Sequence, residues 1–296
     1  MKIQKSISYR CFTAFNTVFM IFMAVIMLYP MLYVLFASLS NSNALMQHSG
    51  LLLAPIEFDT AAYRAVLENP MVWTGYRNTL FILVCGVIIN MVMTTIAAFV
   101  LSRPGLPGKR QMTLFIMFTM YFGGGLIPTF LTVKSLGLYN NIWALIIPGA
   151  ISTYNTIIMR TSFEGIPRSL EESAMLDGAS YLCVLTRIMI PLSKAVMAVM
   201  VLYYAVGHWN SWFNAMIYLR EREKYPLQLV LREILIQGDT SAMGGGNESS
   251  TSLDQVTIAE TIKYATIMVA TVPILLIYPF LQKYFVKGVM IGAVKG

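Results

Sequence analysis

A chain of 296 residues with 57% hydrophobic and only 12% charged residues is too apolar for a water-soluble globule, in which roughly a quarter of the residues would be charged. The net charge of +7 does not mark a nucleic-acid surface, because the Lys and Arg residues sit at the ends of apolar runs and not on one polar face. Three scattered cysteines, Cys11, Cys85 and Cys183, give neither a disulfide framework nor a metal-ligand spacing. What remains is an all-α membrane protein.

Lys2, Lys5 and Arg10 precede an apolar run from Phe12 to about Leu39. It is longer than the core of a signal peptide and has no small-x-small cleavage site, so it reads as an uncleaved first transmembrane helix, bent at Pro30. Residues 40–76 read as an extramembrane loop in which Asp59 caps a short helix from Thr60 to Glu68, ended by Asn69 and Pro70. A second run covers residues 78–101 and stops at the basic turn Ser102-Arg103-Pro104-Gly105-Leu106-Pro107-Gly108-Lys109-Arg110, which no helix could traverse. The third run, 112–133, is broken by Gly123-Gly124-Gly125 and Pro128, and the fourth, 141–159, has Pro148-Gly149 near its middle.

A polar island follows, Ile166 to Leu192. Ser169 and Glu172 have the spacing of a capping box, which predicts a short helix from Leu170. Gly178 suits the left-handed residue that ends such a helix. Ser180 can cap a second one, with Leu182, Leu185, Ile188 and Met189 on one face, that stops near Pro191. The fifth run is 193–212. A long hydrophilic segment, 213–263, carries the low-complexity stretch Gly238 to Ser252, read as a flexible linker, before a sixth run at 264–285. Each run is near the roughly 20 residues that a helix needs to cross the hydrocarbon core.

Six spans put both termini on one side. Lys2, Lys5, Arg10, Arg103, Lys109, Arg110, Arg160, Arg168, Arg187, Lys194, Lys283, Lys287 and Lys295 all fall in the same alternate set of segments, which makes that set, both termini and the polar island cytoplasmic. The chain is then a single transmembrane domain with residues 166–192 inside and 213–263 outside. The six runs contain no Asp or Glu, which disfavours an ion-coupled carrier. No G-x-x-x-x-G-K-S/T phosphate loop is present, and His48 and His208 have no metal spacing. His208 reads as a hydrogen-bonded polar residue at a helix end. A pore or carrier worked by a partner fits better than an enzyme, and the island is either a knob that a partner holds in a groove or a solvated loop on the membrane surface.

Glu172-Ser173-Ala174-Met175-Leu176-Asp177-Gly178-Ala179, with Ile188 and then Ile190-Pro191, resembles the EAA motif in the membrane subunits of binding-protein-dependent ABC importers. Ser173 and Ile190 depart conservatively from the family's alanine and leucine, and Leu185 stands where phenylalanine is frequent. The ending Lys287 to Gly296 is similar to that of maltose-type carbohydrate permeases, and Phe122 to Pro128 and Gly207 to Asn214 resemble their complex-oligosaccharide branch.

The resemblance implies the type I importer fold in a bacterial cytoplasmic membrane. This chain would pair with a homologous second permease and two ATPase subunits, with ATP and Mg held by the ATPases and no cofactor in this chain, and an extracellular solute-binding protein would deliver an oligosaccharide. Ser169, Glu172, Ala174, Asp177, Gly178, Ala179, Leu185, Ile188 and Pro191 would then form the ATPase-coupling loop. Gly244, Gly245, Gly246 and Asn247 would form a loop reaching the binding protein. Tyr121, Tyr154, Asn155, Trp209, Asn210, Trp212 and Asn214 are candidates for the sugar path, since aromatic faces stack on sugar rings and amides bond hydroxyls, although aromatic residues at helix ends also fit the interfacial belt. Two other readings stand at this point: an ABC permease for another solute, such as peptides or lipoprotein-like compounds, and an unrelated membrane channel or enzyme.

Overall fold

The computed structural model describes residues 7–243 and 260–276, which are helices, turns and loops apart from one isolated antiparallel bridge between Ser40 and Phe58. The chain divides into two compact units, one holding the described residues up to Asn69 and those between Leu231 and Val272, the other running from Pro70 to Val230.

In the first unit, helix α1 (Ile7–Ser38) passes Pro30 without interruption. Between Phe12 and Leu28 most of its apolar side chains are exposed, as on a lipid-facing helix. Its end is fixed by polar contacts: Ser38 shares a hydrogen bond of 2.8 Å with the Tyr63 hydroxyl, and the Tyr29 hydroxyl accepts one from the Leu52 N–H at 3.2 Å. Helix α2 (Ser42–Gln47) is capped by Asn41, whose side chain accepts from the N–H groups of Asn43 and Ala44. Helix α3 spans Ala61–Glu68, one residue later than the sequence predicts. Asp59 accepts from the Ala61 N–H at 2.9 Å, so the expected aspartate does satisfy the helix start. A small core of Ala37, Leu45 and Leu52 gathers Tyr33, Phe36, Ile56 and Tyr264 around it, and Tyr33 meets Tyr264 edge-on at 5.8 Å.

The second unit is built on α4 (Pro70–Ser102). It starts eight residues before the expected span, because Pro70 serves as a first helical residue, where its missing N–H costs nothing. Together α1 and α4 supply the two unbroken helices, among the described residues, that are long and apolar enough to cross a membrane. The third expected run is helix α5 (Lys109–Tyr121) followed by α6 (Leu126–Ser135), bent by 112° at the glycine triplet. Gly125, at φ +87°, makes that break, a conformation that glycine adopts without steric cost. The fourth run starts as two 3-10 turns, Ile142–Leu145 and Ile147–Gly149, and continues at 46° into α7 (Thr153–Glu164).

Helices α8 (Arg168–Leu176), α9 (Tyr181–Val184) and α10 (Ile190–Leu192) make up the polar island, and an 86° bend then leads into α11 (Lys194–Trp209), the fifth run. Residues 260–276 are helical where the sixth run begins; the rest of that run, and the ending Lys287 to Gly296, lie outside the described residues.

The hydrophilic segment holds more structure than its composition suggests. Helix α12 (Phe213–Tyr218) and helix α13 (Leu227–Met243) occupy it, and α13 continues through Gly238, so residues 238–243 are helix and not the expected linker. Leu227, Leu229, Val230 and Leu231 are all buried, and that apolar face holds the helix. Between these helices Asn140, at φ +58°, knits two loops together. Its side-chain amide donates to Glu221 at 2.7 Å and its carbonyl oxygen accepts the Arg220 N–H at 3.1 Å. Hydrogen bonds from Lys224 and Asn140 hold the Glu221 carboxyl below its ordinary pKa.

Helix α4 packs chiefly on α7 and α11, and polar groups set the register. The Asn90 amide donates to the Gly149 carbonyl at 2.6 Å, which leaves its oxygen to accept from Nε2 of His208 at 2.7 Å. That geometry assigns the His208 proton to Nε2 and bears out the reading of His208 as a bonded structural residue. One turn further along, Thr94 and Tyr204 share a 2.6 Å hydrogen bond, and the Tyr204 hydroxyl accepts the Ser152 N–H at 3.2 Å. Gly86 makes room for this seam, since a Cβ there would lie 2.4 Å from the His208 ring. At the other end of α4, Asn78 donates to the Glu223 and Tyr225 carbonyls, and the Leu227 N–H donates to Thr79 at 2.8 Å.

A Cβ on Gly75 would sit 3.0 Å from the Leu227 Cα, whereas one on Gly207 would meet nothing within 4 Å. Gly75→Ala is therefore expected to lower the thermal unfolding midpoint of the purified chain, at a cost of about 1–3 kcal/mol for overpacking. Gly207→Ala should leave it unchanged or raise it, since alanine is the better helix former by about 1 kcal/mol.

Candidate functional site

The island begins where Gly165 ends α7. Pro167 then takes the N-cap position of α8, with φ −56°, so the helix starts at Arg168, two residues before the position that the capping box implies. Ser169 is thereby already inside the first turn and makes no cap bond, and the Ser169–Glu172 box does not form. The physical reason is the proline, which presets the entry dihedral and needs no N–H partner. The acidic residue of the first turn is Glu171, and Glu172 is exposed with no ion pair among the described residues.

The end of α8 follows the expected design. Gly178 stands at φ +83°. Its N–H donates to Met175 at 3.0 Å and the Ala179 N–H donates to Ala174 at 2.9 Å, the paired 5→2 and 6→1 bonds of a Schellman motif. Ala174 and Ala179 both pack onto the core beneath, which supplies the apolar contact that accompanies this motif. Ser180 caps α9 by accepting from the Cys183 N–H at 3.3 Å, again as its position predicts.

Beyond α9 the chain makes a π turn, Leu185–Met189, in which the Ile190 N–H reaches back to Leu185. This wider turn lets the helix pass through Ile190 and Pro191 to Leu192, so Ile190 keeps helical dihedrals where a residue before proline is expected to lose them. It also alters which residues face inward. Val184, Leu185 and Met189 are buried with Ala98, Phe99, Met159, Phe163 and Met200, whereas Leu182, expected to share one face with Leu185 and Met189, is 69% exposed. Leu185 therefore fills a site in this chain's own core. Ile188 is half-buried and Pro191 exposed.

The outer face is apolar at its tip. Leu176 is 89% exposed and Tyr181 60%, with Leu170 also exposed, while Ser169, Asp177 and Gly178 lie on the same outer surface. The inner face is tied down by charge. Arg103, just past α4, pairs with Glu171 of α8. Glu164 of α7 accepts from Lys109 at 2.7 Å and from Arg160 at 3.1 Å, and Arg160 also donates to Thr113 at 3.0 Å.

The candidate path residues do not share one environment. Tyr121, Tyr154, Asn210 and Asn214 are exposed, and the Asn210 amide donates to the Val206 carbonyl at 2.9 Å at the end of α11. Asn155 and Trp209 are buried, and Trp209 packs against Tyr76 at 6.4 Å. Trp212 is half-buried against Phe213. Gly244, Gly245, Gly246 and Asn247 lie outside the described residues. Two features were not singled out from the sequence, the Arg103–Glu171 pair and the Asn90–His208 seam. A lone asparagine within an apolar run is the signal that could have found the second.

No family model matches the chain. It is 40% identical over 283 residues to the Bacillus subtilis polygalacturonan/rhamnogalacturonan transport system permease protein YtcP, an alignment that covers 94% of this chain and 96% of that one. The chain belongs to the permease subunits of carbohydrate ABC transporters. Protein LplC of the same organism is 41% identical over 287 residues, covering 97% and 96% of the two chains. The structure superposes on a chain of a bacterial ABC transporter involved in import of the acidic polysaccharide alginate with a TM-score of 0.86, at 35% identity and covering 96% of this chain and 100% of that one. As a permease the chain is a transport subunit and not an enzyme, which sets aside the unrelated channel or enzyme.

In this permease a side chain at Gly178 is opposed by backbone conformation alone, because a Cβ there would meet nothing within 4 Å while φ stands at +83°. Gly178→Val is expected to abolish transport while the chain still inserts, and Gly178→Asn to keep most of it, since asparagine tolerates the left-handed region that costs other residues about 1–2 kcal/mol. Transport assays of both variants at matched membrane levels check this.

Proposed function

We propose that this permease is one of two membrane subunits of a type I importer in a bacterial cytoplasmic membrane, and that it passes an acidic oligosaccharide into the cell. The observation that carries the coupling role is the outer face of the elbow: Leu176 and Tyr181 project, largely exposed, from short helices whose inner face is anchored by the Ala174–Ala179 contact and the core beneath. A rigid apolar tip of this kind fits a groove on a partner. The partner in this reading is one of two ATPase subunits carrying ATP and Mg. Closing of the ATPase dimer would move the elbows of this chain and of a homologous second permease as rigid bodies and rock the spans between inward- and outward-facing packings. In this reading Glu172, which is exposed, would pair with a basic group of the ATPase.

Six spans with both termini cytoplasmic agree with the distribution of positive residues, and five of the six expected runs fall on a helix or a bent helix pair. The substrate class rests on the relatives. The names at 40% and 35% identity refer to polygalacturonan/rhamnogalacturonan and to the acidic polysaccharide alginate, whereas the maltodextrin permease of Bacillus subtilis is 24% identical. Galacturonans, like alginate, carry uronate carboxylates. Of the path candidates, Tyr121, Tyr154, Asn210 and Asn214 have exposed side chains, which supports their role in contacting a passing sugar.

The test is to purify the permease with its partners in lipid nanodiscs and measure ATPase activity with binding protein presented with oligogalacturonides, alginate oligosaccharides, maltodextrins or peptides. Stimulation of several-fold by an acidic oligosaccharide is expected. Stimulation by maltodextrin alone would move the substrate class, and stimulation by peptide alone would overturn the sugar reading. A second expectation concerns the glycine-rich stretch: deleting Gly244 to Ser249 should weaken stimulation by the loaded binding protein, and unchanged stimulation would remove that stretch from the mechanism.

A further inference from the structure

Arg103 reads in the sequence only as a marker of membrane topology, yet it touches the end of α4 and the first arm of the elbow, and reaches the second through one aromatic ring. Nη1 donates to the Glu171 carboxylate in the first turn of α8. Nη2 donates to Ser102 at 2.9 Å, and Nε lies 3.3 Å from both the Ser102 hydroxyl and the Phe99 carbonyl. The guanidinium carbon stands 4.4 Å from the centre of the Phe99 ring, and that ring meets Tyr181 of α9 edge-on at 6.5 Å. One cation is thus bonded to α8 by charge and linked to α9 through an aromatic ring.

The fork is restrained in this arrangement, because Ser102 and the Phe99 carbonyl take up hydrogen bonds from its Nη2 and Nε. The pair is also shielded, with Arg103 13% and Glu171 12% exposed, so water and salt weaken it far less than they would a surface pair. Its anchor point is the end of α4, the helix on which α7 and α11 both pack. Attraction to Glu171 resists separation of α8 from α4, and the stack on Phe99 holds the guanidinium against the end of α4. A lysine could hold the charge but neither the stack nor the forked bonds.

We propose that Arg103 is a positioning residue for transport, a clamp that grips both arms of the elbow and passes their displacement to α4. The proposal rests on the coupling role given to the elbow above, and its test separates the two. The first measurement is amide hydrogen exchange on the purified full-length permease, which needs no sugar. Arg103→Gln should speed exchange by about tenfold or more in both residues 168–176 and residues 181–184, as loss of one partner from a buried pair releases local opening. Glu171→Gln should do so chiefly in the first segment, and Phe99→Leu chiefly in the second. Arg103→Lys should protect α8 and release α9.

The second measurement is sugar moved per ATP hydrolysed by the assembled transporter. A merely structural role would lower transport and hydrolysis together and leave this ratio alone, whereas the clamp requires the ratio to fall several-fold in Arg103→Gln and Glu171→Gln and to stay intermediate in Arg103→Lys. An unchanged ratio overturns the proposal, as does exchange in residues 181–184 that Arg103→Gln leaves untouched. A wild-type transporter whose ATPase no sugar stimulates would count against the function proposed above, and the exchange pattern would then decide on the clamp by itself.

Discussion

One side chain, Asn90, does much to fix how the second unit is assembled. In a bilayer every backbone and side-chain polar group away from the surface must find its partner within the protein. The break at Pro148-Gly149 frees a carbonyl that an unbroken helix would have used, and Asn90 takes it up. Its remaining oxygen then requires a donor, which His208 supplies from the far end of α11. A single amide therefore fixes α4, α7 and α11 against one another, and Thr94, Tyr204 and Ser152 repeat the arrangement one turn away. Apolar packing alone would leave such helices free to slide, since lipid tails are as apolar as leucine.

That register decides where the elbow sits. The ends of α4, α7 and α11 that lie away from Asn78 carry Ala98, Phe99, Met159, Phe163 and Met200, and the elbow closes over them with Val184, Leu185 and Met189. Two kinds of constraint then meet in a few residues. Backbone hydrogen bonds around Gly178 set the angle between α8 and α9, and ion pairs from Arg103 and Lys109 hold α8 and α7 to the chain segments around the basic turn. The outer tip is left apolar and uncovered.

Much of this could be read from the sequence, for reasons that differ by residue. Gly178 and Ser180 announce themselves because their geometry is local, and the triple glycine breaks its run where glycine should. Asp59 was legible as a helix start to within one residue. The Ser169–Glu172 box failed because Pro167 offers the helix an earlier start, and two local signals in competition cannot be ranked from spacing alone. Leu182 was expected to share a face with Leu185 and Met189 and does not, and the π turn at Leu185–Met189, which also departs from the 3.6-residue period, is marked by no motif. Helix α13 was hidden by its polar surroundings, although its leucines form a face once Thr79 and Gly75 are beside them. Arg103 with Glu171 and Asn90 with His208 are long-range pairs, and a single sequence carries no record of which distant residues meet.

The π turn has a further consequence. An α-helix rotates by about 100° per residue, so the one extra residue accommodated between Leu185 and Ile190 acts as an angular offset between the elbow and α11. The direction in which Leu176 and Tyr181 point is set by a count of residues as well as by the chemistry of any of them. Gaining or losing one residue in this turn would swing the apolar tip to a new bearing while leaving the membrane-crossing helices and the Asn90 seam as they are. The permease can in this way be matched to a differently placed partner without rebuilding the part of the molecule that spans the bilayer.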